Sequence, residues 1–373
     1  MKLKLKDLGT ITTGFTPSKK DNGAWGEDVP FLTPSDYGSG RFAKTSRSLS
    51  NEWISQRKNK IVKSPSISVT CIGSDMGRTV FNKKNIVTNQ QINSISSIKT
   101  RIVSPLYLYY LLQSKRKFLH FLGSGNGSTM PILNKSNFSN IEVELPDLAK
   151  QKQISSILNI LDKKIELNQS INANLDELMS EIFDHYIVKS KEFNTDSLSG
   201  IANYKNGLAM QKFRPQGMDK GIPVLKIKEL NQGFTDKSSD QCSSDIPSDV
   251  IVNTGDVIFS WSGTLLVKLW TGKRCGLNQH LFKVTSDKYP KWFIYKWTEY
   301  YLRRFQSIAA GKATTMGHIK RSDLKQARVK IPSKEKLRKL NQRISPLFQE
   351  YENNIYEVNE LLEIKSSLLK ELF

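Results

Sequence analysis

Five landmarks of the amino-acid sequence recur in the same order almost half a chain length later. Pro30 in DVPFLTPSDY pairs with Pro223 in KGIPVLKIKEL, Gly73 in SVTCIGS with Gly263 in IFSWSGT, and NQQI from Asn89 with NQHL from Asn278. Thr129-Met130 then pairs with Thr315-Met316, and Pro146 in VELPDLAKQKQI with Pro332 in VKIPSKEKLRKL. The offset shrinks steadily from 193 to 186 residues, as changes in loop length produce. Solenoid repeats run to roughly 50 residues at most, so this longer period describes a duplicated globular domain followed by a duplicated tail. With 373 residues the chain is long enough for two such domains and their connections.

The tails carry heptads. After Pro146 one row holds Ile154, Leu161, Asn168, Leu175 and Ile182, seven apart, and a second holds Ile157, Lys164, Ile171 and Leu178, flanked by Leu158, Ile165 and Met179. After Pro332 the rows are Leu337, Ile344, Tyr351, Val358 and Leu372, with Lys365 interrupting, and Leu340, Leu347, Asn354, Leu361 and Leu368. Two apolar rows sustained at this spacing predict coiled-coil helices, with Asn168 and Asn354 either setting register or facing solvent. Asp147 and Ser333 stand where N-caps belong, and Pro346 predicts a kink or a delayed start in the second helix. A helix of about 36 residues is roughly 54 Å long. Neutral and amphipathic, neither is stable alone, and the simplest partner for each is the other.

Charge follows the same partition. Residues 1–146 hold 21 basic and 9 acidic side chains and residues 191–332 hold 23 and 12, whereas 147–190 and 333–373 carry net −2 and 0. The excess of +21 therefore lies wholly in the two long segments, which marks them as the parts that meet a polyanion, whether nucleic acid, an anionic membrane or an acidic protein. The predicted organisation is domain 1–146, helix 147–190, domain 191–332 and helix 333–373.

Both basic domains read as mixed α/β. Short β-rich runs such as ISVTCIG, DVIFSWSG and LNQHLFKV are separated by Gly, Asn and Ser turns. Each also has one clear helix, opening at Pro105 or Pro290, whose aromatics (Tyr107, Tyr110, Phe118; Trp292, Tyr295, Trp297) read as core. Loop cations Lys19, Lys20, Lys44, Lys83, Lys84, Lys212, Arg214, Lys273 and Lys312 suit phosphates. Arg41, Arg47 and Arg274 have the chemistry for guanine edges, and Gln90, Gln91 and Gln279 that for adenine. Thr129, Lys135, Thr315, Lys320 and Arg321, at the junction of domain and helix, are expected to touch the DNA backbone.

Catalytic signatures are missing from this inventory. GSGNG at 123–127 follows a helix rather than a strand and reads as a turn, and no GxxxxGK[ST] loop or Asn/Asp-Pro-Pro-aromatic motif is present. Cys71, Cys242 and Cys275 and the four histidines lack metal spacing, and the scattered cysteines fit a reducing cytoplasm. No run approaches a membrane span.

The order domain, helix, domain, helix, together with GSTMPILNKSNFSNIEVELPDLAKQKQI, LGTITTGFTPSK and NQQI, resembles the specificity (S) subunit of type I restriction-modification systems. The resemblance covers essentially the whole chain, though the second copy is looser, with GHIKRSDL in place of PILNKSNF. It implies an α+β protein with two tandem target-recognition domains, a pseudo-two-fold internal repeat and two long helices paired as an antiparallel coiled coil. Each domain would read one half of a split, asymmetric site on double-stranded DNA, and the helices would set the unread spacer. Two methyltransferase subunits would dock on the helices, and restriction subunits would join through them. The chain would bind no cofactor itself, leaving S-adenosylmethionine, ATP and Mg to its partners. The competing readings are a stand-alone nuclease, which would cleave DNA without partners, and a coiled-coil scaffold for an acidic protein, which would show no steep salt dependence on DNA.

Overall fold

The structure, a computed structural model, describes residues 1–373 except 19, 22, 39, 74, 125–130, 237 and 312–316. It forms two compact units, Met1–Glu166 with Leu362–Phe373, and Leu167–Leu361.

In unit 1 an antiparallel sheet is ordered Thr10–Thr13, Ile92–Ser96, Ser66–Thr70, Thr79–Asn82. Its two central strands are buried on both faces, so their polar side chains must satisfy one another. They do: Ser68 Oγ lies 2.7 Å from Ser94 Oγ, and Asn82 Nδ2 donates to Ser66 and Ser68. A second sheet contains the parallel pair Val29–Leu32 and Val87–Thr88. Unit 2 repeats the first sheet strand for strand as Asn203–Asn206, Leu281–Thr285, Val257–Ser260, Val267–Leu269. The parallel pair also recurs, with Phe31↔Val87 and Leu32↔Thr88 matched by Val224↔Gly276 and Leu225↔Leu277. The domain helices Pro105–Ser114 and Lys291–Tyr300 bury Tyr107, Tyr110, Trp292, Tyr295 and Trp297. Phe118 is exposed, contrary to the core expectation, because it lies on the following amphipathic helix Arg116–Ser124.

The tails are helices of 36 and 39 residues, Leu148–Phe183 and Lys334–Leu372. Asp147 Oδ1 accepts from Lys150 N and Ser333 Oγ from Lys336 N, the expected caps. Pro346 does not delay the second helix, which runs unbroken from Lys334. The turns before it are held by tertiary packing: Leu340 and Ile344 are buried in the unit 2 core, and Trp292 Nε1 donates to Asn341 Oδ1.

Inside unit 1, Leu368, Leu369 and Leu372 pack against the apolar cluster that includes Ile154 and Leu158. Inside unit 2, Asn168 Nδ2 donates to Glu357 Oε2 and Asn354 Nδ2 to Asn172 Oδ1, so rising numbers on one helix meet falling numbers on the other. The pair is antiparallel there, and both asparagines are buried and bonded across the seam, which is the register-setting role. One row differs from expectation. The second buried row of the first helix is Leu158, Ile165 and Met179, with Asn172 half-buried between them, whereas Ile157, Lys164 and Leu178 are exposed and Ile171 is half-buried. Both rows keep heptad spacing, and only packing decides which one meets the neighbour.

Candidate nucleic-acid interface

Each unit ties three distant segments together through the same backbone hydrogen bonds. Gly14 N donates to Ile92 O and Phe15 N to Thr88 O, at 3.2 and 2.8 Å; Gly207 N donates to Leu281 O and Leu208 N to Leu277 O, both at 3.0 Å. Asn89 N reaches Leu32 O as Asn278 N reaches Leu225 O, at 3.0 and 3.1 Å. Cys71 N donates to Gln91 O as Trp261 N does to His280 O, and Leu133 N to Cys71 O as Ile319 N does to Trp261 O. The turn itself is closed by asparagine: Asn89 Oδ1 accepts from Gln91 N at 3.1 Å and Asn278 Oδ1 from His280 N at 3.2 Å.

This construction explains several sequence landmarks. A Cβ at Gly14 would lie 2.1 Å from the carbonyl oxygens of Thr88 and Asn89, and one at Gly207 2.3 Å from those of Leu277 and Asn278. Only glycine permits that approach. Sequence reading gives these glycines no structural role, although their spacing of 193 equals that of Pro30 and Pro223. The residues just after each Thr-Met pair close on the same place, since Gly73 N donates to Pro131 O and Gly263 N to Gly317 O. Thr129, Thr315, Lys312 and Lys19 lie outside the described residues.

The expected loop cations divide into groups. Lys44, Lys83 and Lys84 converge on one unit 1 cleft of about 310 Å³ whose lining includes Leu32, Phe42, Phe81 and Ile86. Lys83 Nζ lies 3.8 Å from the Phe42 ring centre. In unit 2, Arg321 lines a cleft of about 370 Å³ with Tyr204, Lys288 and Lys325, standing over Phe282 and donating to Tyr204 O. Lys135 opens a short helix capped by Asn134, and Lys320 occupies the N-cap position of another. Arg47 is exposed and stacks over Trp25 at 4.6 Å. Lys20, Lys212, Arg214, Lys273 and Arg274 are exposed, Gln90 is exposed, and Gln91 and Gln279 are half-buried.

Arg41 is not presented to a ligand. It is buried, with Nε and Nη2 donating to the two oxygens of Glu166 at 3.1 and 3.0 Å, and Nη1 to Asn159 Oδ1 at 2.6 Å. Burial opposes its charge, but the Glu166 carboxylate outweighs that and holds its pKa above the ordinary value. The fork fastens the recognition fold to the first long helix, so Arg41 leaves the set of guanine readers. Sequence offers no sign of this, because Glu166 lies 125 residues away.

Burial pushes the thiols of Cys71 and Cys242 up to about 12 and about 11, and that of Cys275 further. Among the described residues no group of three or more His, Cys, Asp or Glu is placed to hold a metal. No described helix is long and apolar enough to cross a membrane.

Comparison with known proteins gives a consistent result. Residues 1–177 and 190–366 each match the type I restriction modification DNA specificity domain. The type I restriction enzyme MjaIX specificity subunit of Methanocaldococcus jannaschii is 26% identical over 99% of this chain and 91% of its own length. The HindI specificity subunit of Haemophilus influenzae is 36% identical over 43% of this chain and 33% of its own. The S subunit of a type I restriction-modification system from M. genitalium has the same fold, with a TM-score of 0.53 and 16% identity over 100% of this chain and 96% of that one.

Proposed function

The chain belongs to the type I restriction-modification DNA specificity family, and from that premise we propose that its two units each read one half of a bipartite, asymmetric DNA site. The observation that carries this reading is the doubled framework: the same backbone bonds recur in both units beneath different side chains. One architecture used twice with different surfaces suits a site whose halves differ. The basic excess of both long segments supplies the non-specific attraction to phosphate.

The long helices set the length of the unread spacer and dock two methyltransferase subunits, through which restriction subunits join. Exposed apolar side chains on the first helix support the docking role. Ile157 is 43% and Ile160 65% exposed in unit 1; Leu167 is 54% and Leu178 47% exposed in unit 2. At about 100° per residue, Leu167 and Leu178 fall on one stripe inside unit 2, roughly 100° round from the seam residues Asn168 and Met179. Apolar side chains aligned on one face of a helix suit a covering partner. The chain itself is non-catalytic and works in the cytoplasm, with S-adenosylmethionine, ATP and Mg held by its partners.

The test is reconstitution. Purified chain with DNA, Mg, ATP and S-adenosylmethionine should neither methylate nor cleave, and adding methyltransferase subunits should then methylate a two-part site. Cleavage or methylation by the chain alone would contradict the proposal.

A further inference from the structure

Gln90 and Gln279 occupy the same step of the same turn, yet they are held by different partners. In unit 1 the Thr16 hydroxyl donates to Gln90 Oε1 at 2.6 Å. Thr16 stands two residues after Gly14; two residues after Gly207, unit 2 has Ala209, which has no hydroxyl. There His280 takes over. Its Nε2 lies 3.4 Å from Gln279 Nε2 and its Nδ1 lies 3.0 Å from Ser262 Oγ. The assignment that satisfies both contacts has Nδ1–H donating to Ser262 and the Gln279 amide donating to Nε2. Unit 1 has Gln91 where unit 2 has His280, and Gln91 turns away, its Oε1 accepting from Asn89 Nδ2 at 3.0 Å. At the position of Ser262 it has Ile72, and the two make equivalent bridges, Ile72 to Ile132 and Ser262 to His318.

The framework is therefore constant while the residues holding the glutamine change as a set: Thr16, Gln91 and Ile72 in one unit, Ala209, His280 and Ser262 in the other. Folding demands the framework, but it places no demand that these side chains differ together. A glutamine amide offers one acceptor and two donors, the pattern that suits a base edge. With Oε1 accepting from Thr16, Gln90 keeps both N–H groups for a base edge. With one N–H donated to His280, Gln279 keeps its carbonyl and its second N–H for a base edge.

We infer that Gln90 and Gln279 contact base edges, and that Thr16 in unit 1 and the His280–Ser262 pair in unit 2 are positioning residues that present the same amide in two hydrogen-bonding states. The inference rests on the reading that each unit recognises one half-site.

It is tested on the full chain assembled with its methyltransferase subunits, by sequencing methylation across a randomised target library. H280Q should change base preference about tenfold at one position of the unit 2 half-site and leave the other half untouched. Q279A should relax the same position, and T16A and Q90A should act together on one position of the unit 1 half-site. The inference is overturned if H280Q and T16A leave preference unchanged at every position, or lower methylation of all sequences alike. A wild-type complex without a two-part preference would instead overturn the half-site reading itself.

Discussion

Lys365 Nζ lies 2.6 Å from Asp162 Oδ1 inside unit 1, and Tyr110 donates its hydroxyl to the other carboxylate oxygen at 2.8 Å. Both charged side chains are buried. In the heptad pattern Lys365 reads as an interruption; in the fold it is a seam residue with its own counter-ion. Removing one partner of such a pair strands a buried charge, whereas removing both is close to neutral. K365M should therefore lower the stability of unit 1 by about 3–5 kcal/mol, and D162N/K365M, which keeps an acceptor for Tyr110, should recover most of it. Denaturant unfolding of the full chain, followed by tyrosine and tryptophan fluorescence, measures both. A double variant as unstable as the single one would show that the pair contributes more than mutual neutralisation.

The Arg41–Glu166 fork leads to a different expectation. R41K cannot reproduce two parallel N–H donations, so it should destabilise by about 2 kcal/mol. Base preference in either half-site should not change, since the guanidinium is spent on Glu166 and Asn159. Thermal melting and a randomised-target assay separate the two effects.

Lys44, Lys83 and Lys84 share a cleft and form a testable phosphate group. Each alanine substitution should reduce the slope of log K against log salt by about one if that lysine meets a phosphate. The loss should be equal for specific and random duplexes. A loss confined to the specific duplex would make these lysines base readers.

Buried thiols give a pH dependence of definite sign. The unfolded thiol ionises near the ordinary range, while burial holds Cys71 protonated up to about 12. Stability from this group is therefore complete below about pH 8.5 and is lost as pH rises towards 12. At pH 8 Cys71 should resist alkylation in the folded chain and react on unfolding, as mass spectrometry of iodoacetamide-treated protein would show. Cys242, held up to about 11, should behave likewise.

Much of this architecture is legible in the sequence because it is periodic or duplicated. The helices declare themselves through heptads and caps, and the two basic domains through collinear landmarks and partitioned charge. What escapes is whatever depends on long-range packing. Ile157 and Leu158 both begin apolar rows at seven-residue spacing, and only the neighbouring helix selects Leu158. Pro346 looks disruptive locally, yet Ile344 and Leu340 anchor the turns before it. Arg41 resembles any loop cation until Glu166 arrives from the helix. At the candidate interface the NQ repeat is visible, but Thr16 lies 74 residues from Gln90, and only the fold shows that the adjacent His280 takes its place beside Gln279.

The central claim is that two units read two half-sites independently. Replacing residues 191–332 with the second recognition domain of another specificity subunit, then sequencing host DNA methylation, tests it most directly. The account predicts that one half of the methylated site changes and the other half is retained. A change in both halves, or in neither, would contradict it.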